Sequence, residues 1–168
     1  MKETLGKRKI SDLETFEKSY TYQNSAIYSG QWLGGFRHGR GLMKWGDGTY
    51  YEGDWNLSFA EGKGMLVYTN GDYMKGQFLY NKLNGYGECY NNDMGYEYKG
   101  YWLNDLQSGQ GNEIWSDGSE YVGTYELGKK EGFGKYMWAD GSYYLGEWKD
   151  NKIHGLVNLS QYFNYFFI

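Results

Sequence analysis

Few side chains in this sequence are suited to chemistry, and none of them are grouped. Cys89 is the single cysteine among 168 residues, and His38 and His154 are the two histidines. Alone, Cys89 cannot close an internal disulfide. It reads as a small buried hydrophobe in a reducing, cytoplasmic setting. His38 and His154 precede a glycine in a recurring polar loop whose other copies hold Glu61, Asn84, Ser108 and Glu131. Five repeats apart, they do not make a metal site. Carboxylates are scattered, and spacing pairs no two of them for acid–base work. Gly-x-Gly recurs, but never between a strand and a helix as GxGxxG, and no phosphate-cradling Gly-rich loop ends in Lys-Ser/Thr. The sequons at Asn56 and Asn158 carry no weight, because Met1–Ile10 lacks the apolar stretch of a secretory signal. The expectation is a non-enzymatic protein with no catalytic residue, cofactor or metal.

Composition points instead to an architecture. Glycine contributes 27 residues, proline none, and aromatics 21%. That excludes a collagen-like chain, which needs proline and a three-residue glycine period. It also argues against disorder, which goes with few aromatics. No apolar run reaches a membrane span. The net charge is −4. Residues 23–155 hold 12 basic and 17 acidic side chains, and the one tight basic cluster is Lys7-Arg8-Lys9. Nucleic-acid binding is not expected.

The residues repeat. Tyr28-x-Gly30-x-Trp32 returns as Tyr51-x-Gly53-x-Trp55, Met74-x-Gly76-x-Phe78, Tyr98-x-Gly100-x-Trp102, Tyr121-x-Gly123-x-Tyr125 and Tyr144-x-Gly146-x-Trp148, its glycines 23 or 24 residues apart. Gly-x-Gly follows in five copies, from Gly39-x-Gly41 to Gly132-x-Gly134. Asp-Gly or Asn-Gly then closes four copies, at 47–48, 70–71, 117–118 and 140–141. These dipeptides are hairpin signals. A second turn former, Gly35, Ser58, Asn81, Asp105, Gly128 or Asn151, follows each aromatic core. Two turns per repeat leave two short strands. Six repeats predict about twelve antiparallel strands in one meander, roughly 55 Å across. Strand alternation puts Tyr28, Gly30 and Trp32 on one face, with rings covering the glycines of neighbouring strands. Tyr50, Val67, Tyr73, Ile114, Met137 and Tyr143 fall on the opposite face. An apolar row there suggests a covered surface, so these six are the candidate partner-binding residues.

From Tyr28 to Gly155 these motifs resemble the MORN (membrane occupation and recognition nexus) repeat: Tyr-x-Gly-x-Trp, a turn, Gly-x-Gly, then an aromatic and Asp-Gly. The resemblance implies an all-β, elongated, single-layer antiparallel meander of stacked β-hairpins. It also implies a scaffold, at cytoskeletal or ciliary structures in some members and dimerising in others. Some members associate with membranes or phospholipids. Others accompany a lipid kinase or a lysine methyltransferase, but 168 residues leave no room for such a domain.

The expected organisation is an N-terminal segment (1–22), the repeat array (23–155) and an aromatic tail (156–168). Ser11-Asp-Leu-Glu14 reads as a capping box, so the N-terminal segment is expected to be either a short helix at about 11–19 that caps the sheet through Leu13 and Phe16 or a disordered segment. The shortened third repeat predicts a bulge or altered hairpin near 88–97. The leading expectation is a protein-binding scaffold or homodimer in the cytoplasm, at a cytoskeletal or ciliary structure. One alternative is attachment to anionic lipid or phosphoinositide through Lys7, Arg8, Lys9, Arg37, Arg40, Lys129 and Lys130, which the acidic array disfavours; the other is a regulatory repeat region related to a lipid kinase or methyltransferase.

Overall fold

The computed structural model describes residues 14–155 and 159–160. Lys7, Arg8, Lys9 and the tail, apart from Leu159–Ser160, lie outside them. The described strands are β1 (Thr15–Thr21), β2 (Ile27–Leu33), β3 (Phe36–Lys44), β4 (Tyr50–Asn56), β5 (Phe59–Val67), β6 (Tyr73–Leu79), β7 (Lys82–Asn91), β8 (Tyr96–Leu103), β9 (Leu106–Trp115), β10 (Glu120–Glu126), β11 (Lys129–Met137), β12 (Tyr143–Lys149), β13 (Lys152–His154) and β14 (Leu159–Ser160). They form one antiparallel sheet in sequence order, with β14 beside β12. The six repeats supply β2–β13. Among the described residues there is no helix.

The helix expected at 11–19 is corrected where it is described: β1 is a strand, pairing with β2 from Thr15↔Leu33 to Thr21↔Ile27. A helix that short is marginal alone. The edge of β2 offers a complete ladder to a segment rich in Thr, Phe and Tyr. Phe16, expected in the cap, lies opposite Trp32 and stays half exposed.

Five of the six repeats pack a tyrosine ring on the glycine row. Gly30, Gly41, Gly53, Gly64, Gly76, Gly87, Gly100, Gly111, Gly123, Gly134 and Gly146 face one another strand by strand in an unbroken row. The rings of Tyr28, Tyr51, Tyr98 and Tyr121 each lie across two of these glycines, where a methyl would overlap the ring. Each of these hydroxyls, and that of Tyr144, donates to the carbonyl three residues on, as Tyr28 does to Gln31 at 2.9 Å. The indoles of Trp55, Trp102 and Trp148 donate to the carbonyls of Gly41, Gly87 and Gly134. Edge-on rings about 5 Å apart link Trp32, Tyr28, Trp55, Tyr51 and Phe78, and again Trp102, Tyr98, Tyr125, Tyr121 and Trp148. Such pairs add about 1 kcal/mol each beyond burial. The third repeat has no tyrosine here, and Leu83 fills the place over Gly87.

The two glycines of Gly-x-Gly do different work. The second lies under the ring. The first sits in a bulge absent from the sequence reading. In the β2–β3 hairpin, Gly30 pairs with Gly41 but Trp32 pairs with Arg37, so three residues oppose one, and Gly39 takes a φ of +61°. Four more hairpins repeat the shift. A bulge bends and twists its strand, and here the hairpin tips join one another. The backbone N–H of Ser58, Asn81, Asp105, Gly128 and Asn151 donates to the carbonyl of Arg37, Ala60, Leu83, Gln107 and Lys130 respectively. The side chains of Ser58, Asn81, Asp105 and Asn151 accept the N–H of those same residues in return.

These tips, not the Asp-Gly corners, carry two successive positive φ values, as at Leu57–Ser58 (45° and 73°) and Tyr80–Asn81 (49° and 67°). That is the pattern of a type I′ turn. At Asp47-Gly48 only the glycine is left-handed, and Asp47 accepts the Thr49 N–H at 2.9 Å. Near 88–97 the hairpin is altered, not bulged: Asn91 pairs with Tyr96 across a four-residue turn, and Asn91 accepts the Met94 N–H.

Gly111→Ala should cost about 3 kcal/mol in urea unfolding, by overpacking the Tyr98 ring. Gly118→Ala, left-handed with open space around it, should cost about 1 kcal/mol; equal losses would show that the ring is not the constraint. Cys89 is buried, and burial pushes its thiol up to about 11. With the thiolate disfavoured, iodoacetamide at pH 8 should label the folded protein far more slowly than the urea-unfolded chain.

Candidate protein-interaction face

The sheet buries most of its aromatics on one face, and among the described residues no second layer covers the other. On that second face the six candidate residues fall into one register. Tyr50 pairs with Val67 and Val67 with Tyr73. Further along, Ile114 and Met137 both pair with Glu120, and Met137 pairs with Tyr143. Tyr90 and Glu97 complete the middle of the row, with the Tyr73 hydroxyl reaching Glu97 at 3.4 Å. Ile114 is exposed, and the other five are half-buried. The same-face rows beside it, which the sequence reading missed, are more open. Leu42, Tyr86, Tyr101, Val122, Phe133 and Leu145 are all exposed there. Alternation in each strand marks these positions as clearly as it marks the first six.

Between two of these rows the glycines leave a trough of about 650 Å³. Its floor is the backbone of Gly41, Gly53, Gly64 and Gly76, its walls include Leu42, Met65 and Tyr86, and Lys63 and Glu52 stand at opposite sides. Lys75 holds Glu88 at 3.0 Å and Lys99 holds Glu97 at 3.0 Å on the same face. The arrangement suits an extended chain carrying both apolar and charged groups. No cluster of three or more metal-ligating side chains occurs among the described residues.

The structure does not gather the described members of the basic set into one patch. Arg40 is exposed on the second face and pairs with Asp54 at 3.3 Å. Lys129 pairs with Asp150 at 2.6 Å, which holds the Asp150 carboxyl below its ordinary range and raises the lysine. Arg37 and Lys130 are on the aromatic face. The Arg37 guanidinium lies 4.4 Å from the Trp55 ring centre. Lys130 Nζ lies 4.8 Å from the Trp115 centre and 2.7 Å from Glu113 Oε2. The Tyr125 hydroxyl donates to the same oxygen at 2.9 Å, and burial followed by the Glu113 charge pushes its pKa far up. This buried triad was not legible as a unit, although Glu113 stands where other repeats hold Met43, Leu66, Cys89 and Tyr136.

The sequence model of the MORN repeat matches residues 28–50, 51–73, 75–93, 98–120, 121–143 and 144–156. The chain belongs to the MORN repeat family. No curated protein matches it. Among solved structures it is similar to the TCP10 domain of Danio rerio CPAP, at 15% identity and a TM-score of 0.46, over 80% of this chain and 62% of that one. It is similar to the same domain bound to a peptide of Danio rerio STIL, at 14% identity and a TM-score of 0.36, over 83% and 70%. It is also similar to the Drosophila melanogaster SAS-4 (dCPAP) TCP domain in complex with a proline-rich motif of Ana2, at 12% and 0.31, over 77% and 76%. These are resemblances of sheet geometry, and nothing about the partners of this chain follows from them.

Removing the Lys130 charge should be costly. Lys130→Met leaves the Glu113 carboxylate buried beside Tyr125 and should lose about 3–5 kcal/mol in urea unfolding. Adding Glu113→Leu should recover most of that loss. A double variant as unstable as the single one would mean that lysine packing, not charge, carries the effect.

Proposed function

We propose that this protein is a non-enzymatic scaffold that binds a polypeptide along the second face of its sheet, within a cytoplasmic structure such as a cytoskeletal or ciliary assembly. The observation that carries this reading is the set of large exposed side chains on the second face, Tyr86 paired with Tyr101 on one side of the glycine row and Leu42 and Val122 on the other, with Leu42 and Tyr86 lining a glycine-floored trough, on a sheet whose other face already supplies the core. A monomer gains nothing from large exposed side chains aligned in this way, whereas a partner laid along them buries them. The half-buried row of Tyr50, Val67, Tyr73, Met137 and Tyr143, with Ile114, forms the border of that surface. A second copy of the chain is one occupant of this kind. Lipid attachment has less support, because Arg40 and Lys129 are neutralised by carboxylates and Lys130 is committed to Glu113.

A photo-crosslinking amino acid placed at 86, 114 or 133 should capture one recurrent protein band in native extract. The same group at Leu127, exposed on a hairpin tip, should not. Capture at 127 alone, or at none of the four, would sink the proposal.

A further inference from the structure

Arg37 and Lys130 hold equivalent places in the first and fifth repeats. Each lies opposite the second aromatic of its repeat, Arg37 facing Trp32 and Lys130 facing Tyr125. Both lay their charge against rings. The corresponding positions elsewhere are Ala60, Leu83, Gln107 and Ile153, so a cation here is a departure from the pattern. Lys130 has a counter-charge in Glu113, on the strand residue that pairs with Tyr121. The strand residue that pairs with Tyr28 is Tyr20. Among the described residues no carboxylate forms an ion pair with Arg37. Its Nη2 donates to the Ser58 carbonyl at 2.7 Å, while its Nε is buried without a partner. Burial draws its pKa below the ordinary arginine value. A groove of about 500 Å³ opens beside it, lined by Tyr22, Trp32, Met43 and Trp45.

We infer that this groove receives an Asp or Glu side chain of a polypeptide partner, its carboxylate on Arg37 and its apolar neighbours against Tyr22 and Trp45. The choice of ligand comes from the fold itself. Where the equivalent place is closed from within, it is closed by a carboxylate that accepts from both the cation and the neighbouring phenol. A planar guanidinium with an unused N–H is suited to the same group. The volume fits a short segment of side chains, not a folded domain. The groove lies on the aromatic face, away from the trough, and rests on the scaffold reading only in taking a polypeptide as the source.

The test is an NMR titration of the full chain with Ac-Leu-Glu-Leu-NH₂ and with its Gln counterpart, following the Arg37 Nε–H and the Trp32 and Trp45 indole signals. The Glu peptide should shift them saturably, and the Gln peptide should bind at least about tenfold more weakly, since a bond to a charged group is lost. Arg37→Met should abolish the difference and Arg37→Lys should keep it. Tyr20→Glu, at a half-exposed position, supplies the carboxylate from within and should block the Glu peptide, which keeps the test decisive where Arg37→Met does not fold. Equal response to both peptides, no response at millimolar peptide, or undiminished binding to Tyr20→Glu overturns the inference. Phosphatidylserine vesicles that shift the Arg37 signal where the Glu peptide does not overturn it as well. The crosslinking yields at 86, 114 and 133 are independent of these results, so failure of one proposal is visible apart from the other.

Discussion

A phenol ring lying across two facing glycines is the contact on which the rest of this sheet depends. A single layer has no partner layer to bury its side chains, so it must bury them against its own backbone. That is open only where the backbone is bare. The unbroken glycine row provides the bare strip, and Tyr28, Tyr51, Tyr98, Tyr121 and Tyr144, all but fully buried, lie on it. Each full burial of such a ring is worth about 2–3 kcal/mol. The tyrosine hydroxyl and the tryptophan indole then satisfy carbonyls that would otherwise be buried beneath the rings. Replace the glycines and the rings must lift, which exposes those carbonyls and the neighbouring rings together.

This arrangement divides the sheet into one face that makes the core and one that does not. The bulges sharpen the division. Each adds two residues to one strand, so side-chain alternation survives, and Arg37 and Lys130 emerge on the same face as Trp32 and Tyr125. The bent tips then exchange hydrogen bonds, giving each repeat a second seam to the next beside the strand ladder. With stability supplied by one face and by the tips, the second face is free to vary in sequence.

The strand meander, the division into faces and the covered glycines were legible because they repeat, and repetition turns weak local signals into a strong one. What does not repeat was harder to read. The capping box at Ser11–Glu14 is a local signal, and the ladder offered by the edge of β2 outweighs it across Thr15–Thr21. The bulges were hidden because the first glycine of Gly-x-Gly looks like the second, although one serves a left-handed φ and the other a close approach. Type I′ turns at Leu57–Ser58 and Tyr80–Asn81 escaped because Leu and Tyr do not advertise a positive φ. Arg37 and Lys130 resemble wet surface charges when read singly. Alternation with Gly41 and with Gly134 places them on the aromatic face, but only the structure shows the rings and the carboxylate that they meet there.

Individuality in such an array must therefore come from its departures. Every residue that matches the repeat is committed to the ring-on-glycine contact, the bulge or a turn, and is the same chemically from one copy to the next. The position after each tip is one of the few on the aromatic face that can change without loosening that contact, since it holds Ala60, Leu83, Gln107 and Ile153 in four copies and a cation in two. A cation there is stable only with a counter-charge or with rings to lie on. The fifth repeat has both, from Glu113 and Trp115. The first has the rings of Trp55 and Tyr28 but no carboxylate among the described residues. An unpaired guanidinium held against a groove costs stability that the fold could have avoided with a leucine, as it does at Leu83. That difference separates two copies of one scaffold by a single charge, with the groove lined by Tyr22, Trp32 and Trp45 beside the unmatched cation.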